Sequence, residues 1–134
     1  MTYHFKDMDE LLTAAFTRLA DTVAARFTAR LSAASTVDEA CEAVVDLVLN
    51  DEWATPRTML LSYELYAFAA RNPPLRQVMR NWMANSRAAL AQHFAPDTAK
   101  ALDAMIEGLT IHRSVDPQPA DRREVRAIVE RLIR

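Results

Sequence analysis

The chain has 134 residues, one domain's worth, with a formal net charge of −2 and a pI near 5.9. That balance lacks the basic face of a nucleic-acid binder, and no run of about 18 apolar residues is present to span a membrane. One glycine in the whole chain, against an average usage of about 7%, argues against sheets and tight turns and for an all-α fold, a bundle of about six helices with short connections.

Thr2-Tyr3-His4-Phe5 reads as the tail of a helix whose bulky rings have nothing before them to pack on. Three loop-like residues follow, and a long helix is expected from about Met8 to Ala33 with Asp7 as N-cap. Leu12, Ala15, Phe16, Leu19, Val23, Phe27 and Leu31 give it one buried stripe at three-four spacing. The second helix begins at Thr36-Val37-Asp38-Glu39, a capping box in which the threonine hydroxyl takes the Glu39 amide and the glutamate reaches back. Its stripe is Val37, Ala40, Cys41, Val44 and Val48, ending near Asn50. Cys41, the only cysteine, is read as a small core residue; it excludes an internal disulfide and suits a reducing cytoplasm, and no apolar run opens the chain as a signal peptide would.

Thr55-Pro56 starts the third helix, with proline where its missing N–H costs nothing. Met59 to Ala70 is apolar on nearly every face, which predicts the central buried helix. Asn72-Pro73-Pro74 breaks it. The fourth helix runs to about Phe94 with Leu75, Val78, Met79, Trp82, Met83, Leu90 and Phe94 inward. A fifth covers about Asp97 to Ser114, carrying Leu102, Met105, Ile106 and Leu109. After the stiff Asp116-Pro117-Gln118-Pro119 link, the last helix starts near Asp121 with Val125, Ile128, Val129 and Leu132.

Trp53, Met59, Tyr63, Tyr66, Met79, Trp82 and Met83 cluster in the middle of the chain. Each one singly reads as core. Together, rings with polar tips and adaptable methionines suit the lining of an apolar ligand pocket, with Trp53 at its rim. Glu64 sits in the most apolar helix: either it lies on a wet edge or pairs with a nearby arginine such as Arg87 or Arg57, or it anchors a cationic or hydrogen-bonding ligand. Gly108 lies mid-helix, where it costs about 0.8–1 kcal/mol relative to alanine, so another backbone is expected to come close to it. The apolar surface of Leu102, Met105, Ile106, Leu109, Val125, Ile128, Val129 and Leu132 is large for two terminal helices. Part covers the core and the remainder is expected to form an isologous dimer patch with Gly108.

His93 reads as a helix C-terminal residue suited to the local dipole, and His112 as interface packing or pocket wall. No His-x-x-x-His or Glu-x-x-His pattern offers a bundle-type metal site. No Ser–His–Asp set, phosphate-cradling loop or inward carboxylate pair supports catalysis. No enzyme activity and no cofactor are expected.

Residues 2–12, Met59 to Ala70, Arg71-Asn72-Pro73-Pro74-Leu75, Asn81-Trp82-Met83 and the segment Ala101-Leu102-Asp103-Ala104-Met105-Ile106-Glu107-Gly108-Leu109-Thr110-Ile111-His112 resemble TetR-type transcriptional regulators, closest to the RcdA (YbjK) subgroup. The resemblance implies the C-terminal effector-binding and dimerisation domain at 7–134. Residues 1–6 would be a remnant of the DNA-recognition helix and junction, nearly all of the helix-turn-helix being absent. Tyr3, His4 and Lys6 would then be DNA-backbone remnants. Relatives carry a lysine where Met8 stands, which Lys6 would replace from two residues upstream. The family further implies a cytoplasmic homodimer built on the last two long helices, an unknown small-molecule effector among the earlier helices, and a ligand-responsive repressor that meets DNA only through the missing N-terminal domain. The alternative is a stand-alone headless module that dimerises with relatives or sequesters ligand without DNA binding; a small helical enzyme is the remaining rival.

Overall fold

The computed structural model describes residues 2–50 and 55–134, with side chains from Met8 onward. Six helices follow one another: α1 (Thr2–Ser32), α2 (Val37–Leu49), α3 (Pro56–Ala69), α4 (Pro73–Leu90), α5 (Pro96–Val115) and α6 (Arg122–Leu132). Strands are absent among the described residues. The all-α bundle of six helices is therefore as expected.

The starts are set by local chemistry that the sequence displays. Thr36 accepts the Glu39 amide at 3.1 Å, and the Glu39 carboxylate takes the Ser35 amide at 2.7 Å, one residue upstream of the cap itself. Thr55 caps Thr58 at 3.2 Å ahead of Pro56. Asn72 precedes Pro73 in the same way. Asp121 accepts the Glu124 amide at 2.9 Å. α5 opens on Pro96 with no side-chain cap.

Three expectations need correction. α1 is one continuous helix of 31 residues, so Lys6–Met8 form no loop and Asp7 is no cap. No glycine or proline stands between Thr2 and Ser32, so nothing interrupts the helical ladder. At 1.5 Å per residue it is about 46 Å long. α4 ends at Leu90 rather than Phe94, because Ala91–Phe94 closes as tight turns. The His93 ring there bonds the Leu31 carbonyl at 2.7 Å, so this histidine satisfies the end of α1 and not of its own helix. Thirdly, α3 is not the central helix. One stripe, Met59, Ser62, Leu65 and Ala69, is buried, while Leu60 is 58% and Phe68 42% exposed and Glu64 faces solvent. The centre is α2, which α1, α5 and α6 surround and which buries Ala40, Cys41, Ala43, Val44, Val45, Leu47 and Val48.

The apolar interior is divided into two clusters. In the larger, Phe27 and Leu31 of α1 meet α2, the end of α4, Leu102 and Ile106 of α5, and Val125 and Val129 of α6. In the smaller, Phe16 and Ala20 of α1 meet Leu65 and Ala69 of α3 and Leu75 and Val78 of α4. α1 packs along α4 and belongs to both.

Outside the larger cluster, Arg122 reaches Glu42 at 3.0 Å and Asp46 at 2.5 Å. Arg126 reaches Asp38, Glu42 and Glu130 at 2.6–2.9 Å, and Arg30 pairs with Asp46. The network joins α1, α2 and α6 over the buried Cys41. Burial pushes that thiol above its ordinary value, against the pull of Arg126, which leaves it a core residue and not a reactive thiolate.

Leu31→Ala should lower stability by about 2–5 kcal/mol in urea unfolding, whereas Leu60→Ala on the outer face of α3 should change it by less than about 0.5 kcal/mol. Equal losses would mean that α3 is buried after all.

Candidate functional site: a cavity between two cores

A cavity of about 110 Å³ lies where the two apolar clusters fail to meet. Each wall is one helix face read at three-four spacing. α4 contributes Met79, Trp82, Met83 and Ser86; α3 contributes Thr58, Met59, Ser62 and Tyr66; α5 contributes Asp103, Ile106, Glu107, Thr110 and Ile111. Val23 and Phe27 of α1 and Leu47 of α2 complete it.

Of the residues expected at a pocket, Met59, Tyr66, Met79, Trp82 and Met83 line this cavity. Tyr63 does not: its hydroxyl shares a 2.7 Å hydrogen bond with Ser114 and so ties α3 to the end of α5. Trp53 lies outside the described residues, as do the side chains of Tyr3, His4 and Lys6.

Sequence reasoning missed the polar wall. Asp103 is only 8% exposed, on a helix expected to present an interface. Arg87 Nε lies 3.3 Å from its Oδ2 but is not aligned to donate, which leaves that buried N–H without a hydrogen-bond partner. Burial pushes Asp103 up to about 6, opposed by Arg87 and assisted by Glu107. Burial likewise raises Tyr66, and the adjacent Glu107 carboxylate, its hydrogen-bond partner, raises it further. The available signal was spacing: Asp103 and Glu107 are four apart, together with Ile106, on the α5 face that carries Leu102. Glu64, the acidic residue singled out from sequence, is on the wet edge instead, and Arg87 pairs with Asp103 rather than with it.

The predicted interface set divides. Leu102, Ile106, Val125 and Val129 are sealed in the subunit's own core, because the stripe facing α2 takes them. Met105, Leu109, Ile128 and Leu132 are half-buried, and His112 is exposed. A Cβ on Gly108 would meet nothing within 4 Å, so no backbone within the subunit approaches it. Among the described residues no helix is long and apolar enough to cross a membrane, and no group of metal-ligating side chains gathers.

Residues 35–134 match the family described as "Tetracyclin repressor-like, C-terminal domain". The chain belongs to this TetR family. Among solved structures, SCO7518 from Streptomyces coelicolor A3(2), described as a transcriptional regulator, is 44% identical. The alignment covers 99% of this chain and 77% of that one, with a TM-score of 0.88. The multidrug binding protein EbrR, solved with imidazole, is 32% identical over 99% of this chain and 74% of its own length, with a TM-score of 0.72. A comparison with curated proteins finds no match. Family and neighbours together support a role in transcriptional regulation for this TetR-type domain.

The raised Asp103 has a definite linkage sign. Its folded-state value near 6 stands above the ordinary 3.8, so its contribution to stability is full below about pH 4 and is lost as pH rises through 6. Asp103→Asn should therefore become more favourable, relative to wild type, by about 2 kcal/mol between pH 4 and 7, read from urea midpoints at each pH. A difference that stays flat across that range would show that the carboxylate is not held protonated.

Proposed function

We propose that this TetR-type domain is the effector-binding and dimerisation half of a cytoplasmic, ligand-responsive repressor. In this reading its contact with DNA is made through a helix-turn-helix domain ahead of α1, and residues 1–6 belong to the recognition-helix end of the junction. One observation carries the effector role: the cavity is built partly from Val23 and Phe27 of the same helix that ties the two cores together. A ligand that swells the cavity presses on α1 between its two anchor points. A helix about 46 Å long transmits a small tilt at Phe27 as a larger displacement at its N-terminal end. EbrR, a similar protein that binds multiple drugs and was solved with imidazole, supports a pocket that takes small ring compounds. The likeness to SCO7518 supports the regulatory role.

The experiment is an equilibrium DNA titration of this chain beside a version extended upstream in its reading frame, at one fixed salt concentration. The regulator reading expects specific binding from the extended protein alone, weakened when a ligand fills the cavity. If neither binds, the domain works without DNA, as a partner for relatives or a ligand sink.

The same reading makes α5 and α6 the two-fold contact, through Met105, Gly108, Leu109, Ile128 and Leu132. Gly108→Ala gives a sharp test, since open space around the Cβ means the subunit itself gains about 0.8–1 kcal/mol of helix stability. With a partner backbone at this position the same change should weaken the dimer in sedimentation equilibrium, and Met105→Asp should abolish it. An unchanged dimer in both variants would remove this face from the assembly.

A further inference from the structure

The lining of the cavity is chemically lopsided. Among the described residues its charged side chains are Asp103 and Glu107, with no lysine, arginine or histidine in the lining. Arg87 stands beside Asp103 at 3.3 Å, one cation against two carboxylates. A second observation is independent of that charge. Ser86 is 4% exposed, lines the same cavity, and its hydroxyl makes no hydrogen bond to any described residue. That hydroxyl is therefore available to a partner inside the cavity. Around these groups the surface is soft and aromatic: Phe27, Met79, Trp82 and Met83.

We propose that the cavity selects a one-ring organic monocation, its apolar body against Phe27, Met79, Trp82 and Met83 and its cationic head between Glu107, Asp103 and the Ser86 hydroxyl. This rests on the effector-site reading and names the ligand class for that site. Size sets the one-ring limit, since about 110 Å³ is comparable with an apolar cavity of roughly 150 Å³ that takes benzene. Charge sets the sign. A carboxylate already disfavoured by burial gains most from a cation brought into the same low-dielectric space, and an anion is repelled by both acids. Trp82 and Tyr66 add ring faces for the cation. The head supplies N–H donors that the Ser86 oxygen and the free carboxylate oxygens can accept.

Among the described residues the charged groups facing Asp103 are Arg87 from α4 and Glu107 from its own helix, and Tyr66 of α3 is the remaining titratable group on the wall. α1 and α2 present only Val23, Phe27 and Leu47 there. Binding of the cation is therefore expected to weaken as pH falls below about 6, where Asp103 takes up its proton.

The test is calorimetric titration of the 134-residue chain with benzylammonium and with benzyl alcohol, a neutral molecule of nearly the same shape, at neutral pH. The expected result is at least ~10-fold tighter binding of the ammonium, the difference a charge-assisted contact makes. Glu107→Gln should bring the two affinities together while leaving the alcohol's unchanged, with helicity checked by circular dichroism. Should that variant not fold, the wild-type ratio above and below pH 6 still decides. Equal or tighter binding of the alcohol overturns the cation selection and leaves the effector pocket standing. No binding of either compound up to millimolar concentration overturns both.

Discussion

The packing of α1 across both apolar clusters is the constraint on which the rest depends. Phe16 and Ala20 hold its middle against α3 and α4, and Phe27 and Leu31 hold its C-terminal half against α2 and α5. A helix cannot bend freely between two such anchors, because close-packed interiors transmit strain rather than absorb it. Two cores fixed at a set distance along one rod need not be continuous with each other. The cavity occupies the interval, with Val23 and Phe27 as the rod's contribution to its wall.

An unfilled gap of this kind costs stability, roughly 24 cal/mol for each cubic ångström in mutational series, so its persistence requires compensation elsewhere. The Arg30–Asp46–Arg122–Glu42–Arg126 network joins α1, α2 and α6 on the far side of the larger cluster. Individually such exposed pairs contribute little, but a connected set with aligned guanidinium groups contributes more. The His93 bond to Leu31 closes the end of α1. The half of the bundle distal to α3 is thus fixed by side-chain bonds as well as by packing. The half bearing α3 is held by one buried stripe, by the Tyr63–Ser114 and Tyr66–Glu107 bonds to α5, and by the Arg76 guanidinium of α4, which donates to the Ala69 and Ala70 carbonyls. A ligand entering the cavity between them meets three methionines available to re-pack.

How much of this was legible in the sequence depended on whether the governing interactions were local. The caps at Thr36, Thr55 and Asp121 depend on three or four residues each and occur where the pattern places them, while Asn72, read only as a breaker, also caps α4. The pocket face of α4 was legible because Met79, Trp82 and Met83 share one helical face with Leu75 and Val78. The junction at Lys6–Met8 was misread because loop-like polar residues are not breakers, and only glycine or proline would have stopped the ladder. The depth of α3 was misread for a non-local reason: apolar content measures what a helix can bury, not which neighbours surround it. Asp103 was missed because a carboxylate inside an apolar face goes against the usual rule for buried charge, and its partner Arg87 lies sixteen residues away on another helix. The family resemblance located the domain but not the acidic wall.

Asp103, Glu107, Tyr66 and Ser86 break local rules together at one place. Desolvation of Asp103 exceeds the help it receives from Arg87, the Arg87 Nε donor is left unaligned, and the Ser86 hydroxyl on the cavity wall makes no hydrogen bond to a described residue. A core selected only for stability would replace these groups with apolar ones of similar volume, since a partly satisfied buried polar set is worse than none. Local conflict of this sort is expected where a site is kept for something that binds there. The imbalance on this wall is one of charge, two carboxylates against one guanidinium. A group that relieves it carries positive charge and is small enough to leave α1 seated on both cores.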